Sequence, residues 1–210
     1  MPIQRPSASR RRRFDRYRLG NAVLGRLGRI GIKVHPFLVV LEKNLPFGAE
    51  NADTKFAFGF LNSTDLPEIR RLQSGKNVDE TRARLTTGKL CFGARDGSRL
   101  VGILWCDLDE FNFPPHRRAL AKDEAYFFDA YVDPEYRGRH LAPSMRIRCC
   151  DALTKMGRTV FWSYTDFFNL PARRFKRTLG AKDVALRLHV ELFGRFSKTW
   201  TLRRYSPGES

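Results

Sequence analysis

Long apolar runs are absent from this chain. No window of about eighteen consecutive apolar residues occurs, so no membrane-spanning helix is predicted. The basic opening stretch lacks an apolar segment closed by a small-residue cleavage site, so no secretory signal is expected. Cysteine and histidine are scarce, four of each. Cys91, Cys106, Cys149 and Cys150 contain no C-x-x-C pair and read as reduced thiols of a cytosolic protein. The histidines are scattered and form no His/Cys cluster, which argues against a metal site. No internal repeat is visible.

Positive charge is what the chain has in excess. Lysine and arginine number 39 against 22 acidic residues, a net charge of +17 over 210 residues. Residues 1–35 hold ten basic side chains against Asp15 alone. Such a chain is attracted to polyanions: CoA phosphates, acyl carrier protein, anionic lipid or nucleic acid. A domain boundary is placed so that residues 1–33 form a basic arm, 34–205 one domain and 206–210 a tail. Residues 1–13 are rich in proline, serine and arginine and are expected to be disordered. Leu19, Val23, Leu27 and Ile30 share one helical face, yet Gly20, Gly25, Gly28 and Gly31 each cost about 1 kcal/mol in a helix. The arm is either a solvated, partly helical segment or one that folds on an anionic membrane through residues 10–33, which would place the protein at the inner membrane face. Arg10–Arg13 could also meet nucleic acid, but the arm has no interleaved aromatics for base stacking.

The hydrophobic fraction of 42% and seventeen phenylalanines suffice for a core. His35–Leu41 reads as a strand, and Phe56–Phe60 is apolar after a turn-rich stretch with Pro46 and Gly48. Thr64 is placed to cap a helix carrying Pro67 in its first turn and Leu66, Ile69 and Leu72 as its stripe. Asp79–Leu85 predicts a second short helix. Lys89–Ala94 and Leu100–Asp107 predict a hairpin around Asp96-Gly97. Glu110–His116 reads as a loop. Thr159–Tyr164 predicts a strand, Asn169–Leu179 a helix closed by Gly180, and Val184–Phe193 with Lys198–Tyr205 a closing hairpin.

The organising stretch is Tyr126–Ala142. Phe127, Phe128, Tyr131 and Val132 favour a strand, which Asp133-Pro134 ends. Arg137-Gly138-Arg139 follows, and from His140 to about Lys155 apolar residues recur at helical spacing. A glycine turn that opens a helix directs unpaired N–H groups and the positive end of the helix dipole at whatever lies before it, an arrangement suited to phosphate. The helix also provides the crossover to a strand at Thr159–Tyr164 parallel to the first.

Val132–Ala142 resembles the acyl-CoA-binding motif of the GNAT N-acetyltransferase superfamily, Val-x-Pro-x-x-Arg-Gly-x-Gly-x-Gly/Ala. Asn169–Ala181 is similar to that superfamily's second motif, Asn-x-x-Ala-x-x-Leu/Phe-Tyr-x-Lys-x-Gly-Phe. The resemblance covers about Val34 to Tyr205. It implies an α/β fold: a mixed, mostly antiparallel sheet with a central splayed parallel strand pair and flanking helices. It implies acyl-CoA, most simply acetyl-CoA, as co-substrate, with Glu110–His116 overhanging the acceptor cleft. Three positions depart from the pattern. His140 replaces a glycine, which is tolerable where φ is negative and could add a donor to the pyrophosphate. Lys176 replaces a tyrosine that protonates the leaving thiolate, and Ala181 replaces an aromatic.

By that resemblance the pyrophosphate would be held by the amides of Gly138, Arg139, His140, Leu141 and Ala142, with Arg137 and Arg139 as charges. Tyr131 and Val132 occupy the position where a bulged strand offers an N–H to the thioester carbonyl. Asn169 would contact the pantetheine arm or merely cap its helix. For the general base the candidate is Asp129, unusual inside so aromatic a strand; it either has a raised pKa suited to taking a proton from an amine or is a structural carboxylate bonded to a turn or an arginine. Asp107, Asp109 and Glu110 could instead handle a cationic amine through water. Tyr164 is a candidate acid, and Lys176, if near sulfur, could stabilise the thiolate.

Three functions remain open. One is N-acyl transfer from acyl-CoA to a small-molecule primary amine in a ternary complex. Another is long-chain transfer from acyl carrier protein to an amino acid or lipid-precursor amine, for which the arginines and phenylalanines speak. The last is a degenerate binding module.

Overall fold

A computed structural model describes residues 24–42, 55–73, 78–113 and 116–206. Arg10–Arg13, the turn around Pro46 and Gly48, and the last four residues lie outside the described residues. The described residues fall into two compact units, one within 41–164 and 176–182, the other within 24–40, 165–175 and 183–206.

The larger unit holds a sheet in the order β8-β7-β4-β3-β2. Its strands are β2 (Phe56–Leu61), β3 (Leu90–Asp96), β4 (Arg99–Asp107), β7 (Glu124–Val132) and the greater part of β8 (Val160–Asp166). Neighbours are antiparallel except β7 and β8, which are parallel. Helices α1 (Leu66–Leu72) and α2 (Val78–Thr86) precede β3, and α3 (Leu141–Lys155) makes the crossover from β7 to β8.

Alternation along β4 divides the core. Ile103 and Trp105 pack with Ile69, Leu72, Cys91 and Leu100 on the face that carries α1. On the other face Met145, Cys149 and Leu153 of α3 are buried with Phe127 and Phe161, whose rings stack. Cys106 and Cys149 meet there, sulfur to sulfur at 3.5 Å. Gly102 admits α3 so closely that a Cβ would lie 3.4 Å from Met145 Sδ. Each fully buried Leu, Ile or Phe contributes about 1.5–3 kcal/mol, so these two clusters dominate the unit's stability.

The structure corrects three sequence expectations. Asn62, not Thr64, caps the first helical segment: its Oδ1 accepts the Thr64 N–H at 2.8 Å, and Asp65 Oδ2 accepts the Asn62 N–H in return. The β3–β4 turn is Gly97-Ser98, because Asp96 pairs with Arg99. The stretch read as a loop is a hairpin of β5 (Glu110–Phe113) and β6 (His116–Ala119). Phe111 and Phe113 are buried on one side of it, a two-residue period too short to stand out beside Pro114-Pro115.

In the smaller unit β9 (Lys182–Leu192) and β10 (Phe196–Arg204) form an antiparallel hairpin, and β9 neighbours β1 (Ile32–Glu42). Helix α4 (Leu170–Thr178) starts there, capped by Asn169, whose Oδ1 accepts the Ala172 N–H at 3.1 Å.

Candidate active site

The loop after β7 is built by its first aspartate. Asp133 Oδ1 accepts the Glu135 N–H at 3.1 Å, its own N–H bonds the Val101 carbonyl, and its carboxylate holds Arg99 at 3.0 Å. The Tyr136 and Arg137 N–H groups close a single 3-10 turn onto Asp133 and Pro134. Beyond it Gly138 (φ +79°) and His140 (φ +57°) turn the chain into α3. Residues 137–140 form a loose turn, and among the described residues the N–H groups of Gly138, Arg139, His140, Leu141 and Ala142 make no backbone hydrogen bond of good geometry. Five weakly engaged amides thus gather at a helix N-terminus, an arrangement suited to an anion. The φ at His140 is positive, not negative as a side chain there would favour; histidine is among the few residues enriched in this region.

Arg137 does not reach out from this loop. Its Nε donates to the Val132 carbonyl at 3.1 Å and its guanidinium lies 5.6 Å from the Tyr131 ring centroid. Arg139 lies over the Tyr136 ring at 5.2 Å.

Strand β7 is broken at its centre. Ile103 pairs with Tyr131 but Trp105 with Phe128, so Asp129 and Ala130 together oppose Leu104. This is a β-bulge, and Asp129 at φ +48° is the residue that makes it. The parallel ladder to β8 runs from Glu124–Val160 to Phe127–Ser163 and stops there, two residues before Asp129. Because the Asp133 N–H bonds Val101, alternation turns the Val132 peptide away from β4 and sends the Tyr131 N–H toward Ile103. Of the two residues singled out on this strand, Val132 therefore has the N–H on the unladdered side.

A cavity of about 380 Å³ opens on the face of Tyr126 and Phe128. Glu80 and Arg84 of α2 and Thr87 just beyond it line one wall, with Lys89, Asp107 and Asn112 completing it. Arg84 stands over Trp105 and Phe128, 5.3 and 5.2 Å from their centroids, and bonds both Asp129 Oδ2 and Glu80 Oε1 at 2.5 Å. Two carboxylates share this one guanidinium, Glu80 on the cavity wall and Asp129 behind it, while the charged residues that line the cavity, Glu80, Arg84, Lys89 and Asp107, balance. Asp107 is neutralised by Lys89, and its Oδ1 accepts the Asp109 and Glu110 N–H groups. Burial, with Tyr164, Asp129 and Asp107 nearby, pushes the Tyr126 hydroxyl far above its ordinary range, so it stays protonated.

A family model described as "Acetyltransferase (GNAT) family" matches residues 60–181, more than half of the chain. The chain belongs to the GNAT acetyltransferase family. Its fold is likewise the GNAT fold. A protein from Novosphingobium aromaticivorans described as a GNAT-family acetyltransferase matches with a TM-score of 0.53 and 22% identity. That match covers 81% of this chain and 66% of the other, so the chain spans just under two thirds of that relative. A GCN5-related glucosamine N-acetyltransferase region of a fungal multi-domain β-N-acetylglucosaminidase gives a TM-score of 0.56 at 14% identity, over 79% of this chain and 22% of that one. AAC(6')-Iy in complex with the bisubstrate analogue CoA-S-monomethyl-acetylneamine gives 0.50 at 16%, over 60% and 89%. At these identities the likeness is one of fold. No curated protein matches the chain in sequence.

Within the GNAT frame the candidate residues separate. Asp129 sits in the bulge with its Oδ2 bonded to Arg84. Tyr164 packs against Phe113, ring centroids 3.8 Å apart. Lys176 is buried, its Nζ donating to Ser163 Oγ at 2.8 Å and the Tyr164 carbonyl at 2.7 Å. Asn169 belongs to the smaller unit as the cap of α4. Among the described residues no His, Cys, Asp or Glu side chains cluster as a metal site, and no helix is long and apolar enough to cross a membrane. Sequence reasoning missed Arg84, Glu80, Asn112 and Tyr126. The one available signal for the first two was their i, i+4 spacing on α2, which reads equally as a solvated ion pair.

Proposed function

We propose that this protein transfers an acetyl group from acetyl-CoA to a primary amine by direct attack in a ternary complex. The observation that carries the reading is the coincidence of a bulge at Asp129, a ladder that ends at Phe127–Ser163, and five weakly engaged amides at the start of α3.

When bound, acetyl-CoA supplies an activated thioester. The amides of Gly138–Ala142 would hold its diphosphate, with the α3 dipole behind them. The Val132 N–H, on the open side of β7, is the donor placed to polarise a carbonyl laid along that strand. The group of Glu80, Arg84 and Asp129, two carboxylates on one guanidinium, would favour a cationic amine over an acidic acceptor. Asp129, in the bulge and joined to the cavity through Arg84, is our candidate to accept a proton from that amine, directly or through one water.

The test is a thiol-release assay with acetyl-CoA against a panel of polyamines, aminoglycosides and peptide N-termini, beside calorimetry with CoA. Turnover with a cationic amine and micromolar CoA binding are expected. Absence of CoA binding would overturn the reading.

A further inference from the structure

Strand β8 has every local reason to keep pairing with β7, since Trp162, Tyr164 and Thr165 all favour strands. Its geometry shows where pairing would go next. The Val160 N–H bonds the Asp123 carbonyl at 3.0 Å, so alternation points the peptide groups of Val160, Trp162 and Tyr164 at β7. In a continued ladder the Tyr164 carbonyl would receive the Asp129 N–H. That carbonyl instead receives Lys176 Nζ at 2.7 Å.

We infer that Lys176 is a positioning residue that keeps the β7–β8 gap open by occupying the ladder acceptor at Tyr164. This rests on the acetyl-CoA reading above, and it gives the lysine a role other than contact with sulfur. The bulge moves the donor off register from the β7 side, and Lys176 takes the acceptor from the β8 side. A buried backbone carbonyl left without any donor is costly, so this one must find a partner on one side or the other. A neutral alkyl side chain in this place would return it to β7.

The lysine is fixed for the task. It is 6% exposed and also donates to Ser163 Oγ, which in turn donates to the fully buried Glu42 at 2.5 Å. Arg146 Nε stands 3.4 Å from the other oxygen of Glu42. Glu42 thus pairs with Arg146 directly and meets Lys176 through the Ser163 hydroxyl. Removing the ammonium leaves Glu42 with Arg146, a neutral pair, so a Lys176→Met chain can retain its fold. Helix α4 ends in a tight C-terminal turn, with the Ala181 N–H on the Lys176 carbonyl, which fixes where the side chain starts.

The experiment compares the full chain with Lys176→Met, Lys176→Arg and Ser163→Ala by NMR-detected hydrogen exchange, acetyl-CoA calorimetry and steady-state kinetics. In Lys176→Met, exchange at the Asp129 amide is expected to slow and acetyl-CoA affinity to fall, each about tenfold, with the acceptor KM unchanged. Lys176→Arg, which keeps a cationic donor, recovers most of both. Ser163→Ala, which leaves the bond to Tyr164, exchanges at Asp129 like the wild type. An unchanged Asp129 amide in a folded Lys176→Met chain overturns the inference while wild-type turnover keeps the parent reading. Wild type that binds no acetyl-CoA overturns the parent reading instead. A Lys176→Met chain that fails to fold, with Lys176→Arg also showing altered Asp129 exchange, counts against a role confined to the gap.

Discussion

Arg84 Nη1 donates to Asp129 Oδ2 over 2.5 Å, across 45 residues of chain and from a helix to the bulge of a strand. The bulge residue is a non-glycine at positive φ, a conformation that costs about 1–2 kcal/mol and needs support from its surroundings. Arg84 supplies it, stacked on Trp105 and Phe128. Asp129→Asn keeps the shape and removes the charge. It is expected to lower kcat/KM for a cationic amine by about ten- to a hundredfold and leave acetyl-CoA affinity within about twofold. Arg84→Met removes the support itself, and urea unfolding should register a loss of about 1–2 kcal/mol. Equal effects of Asp129→Asn on donor and acceptor would show that the carboxylate only shapes the strand.

His140 tests whether backbone or side chain grips the diphosphate. Its φ of +57° suits glycine, and α3 receives no side-chain cap from it. His140→Gly should be at least as stable as the wild type and bind CoA within about twofold, because the amides of the loop remain. His140→Val puts a β-branched residue at positive φ and should lose about 1–2 kcal/mol in thermal unfolding. A much weaker CoA complex for the glycine variant would assign the grip to the imidazole.

The four thiols make a simple probe of the fold. Cys91, Cys106, Cys149 and Cys150 are all buried, and burial raises the pKa of the Cys91, Cys149 and Cys150 thiols well above their ordinary value. A thiol below its pKa is a poor nucleophile. Ellman's reagent should therefore find essentially no reactive cysteine in the native protein and four in guanidinium. Rapid native labelling of any one would place that residue in a segment that opens locally.

The legible parts of the site were those written in consecutive residues. Gly138 between two arginines after Asp133-Pro134 announces its turn, because proline and glycine restrict the backbone wherever they stand. Asn169 and Gly180 frame α4 for the same local reason. Asp129 could be flagged as a carboxylate among aromatics, but its bulge could not, since a one-residue offset depends on which β4 residue sits opposite. Arg84 reads as one basic residue on a polar helix until α2 is laid over Trp105. The β5–β6 hairpin was hidden by its brevity. Lys176 was noticed as a departure from a pattern, while its acceptor, a backbone carbonyl, has no signature in any sequence.

Glu124 links the hairpin to the sheet and sets an acid limit on the larger unit. Arg118 of β6 grips its carboxylate at 2.6 and 2.9 Å, the Ala121 N–H adds a bond at 2.9 Å, and Trp162 Nε1 of β8 another at 2.7 Å. These donors, Arg118 foremost, hold its pKa at about 2 against an ordinary 4.5. The folded state therefore binds this proton less readily than the unfolded one. The stabilisation is fully present above about pH 4.5 and fades as the pH falls toward 2. Urea midpoints measured across that window should fall for the wild type. Glu124→Gln, which cannot ionise, should begin lower at neutral pH and show a shallower acid limb, and Arg118→Met, which raises the folded-state pKa, should also begin lower and end its decline at a higher pH with a smaller drop. If the Gln variant follows the wild-type curve in parallel, the acid sensitivity belongs to other carboxylates, and the link between hairpin and sheet is carried by the packing of Phe111 on Tyr126 instead.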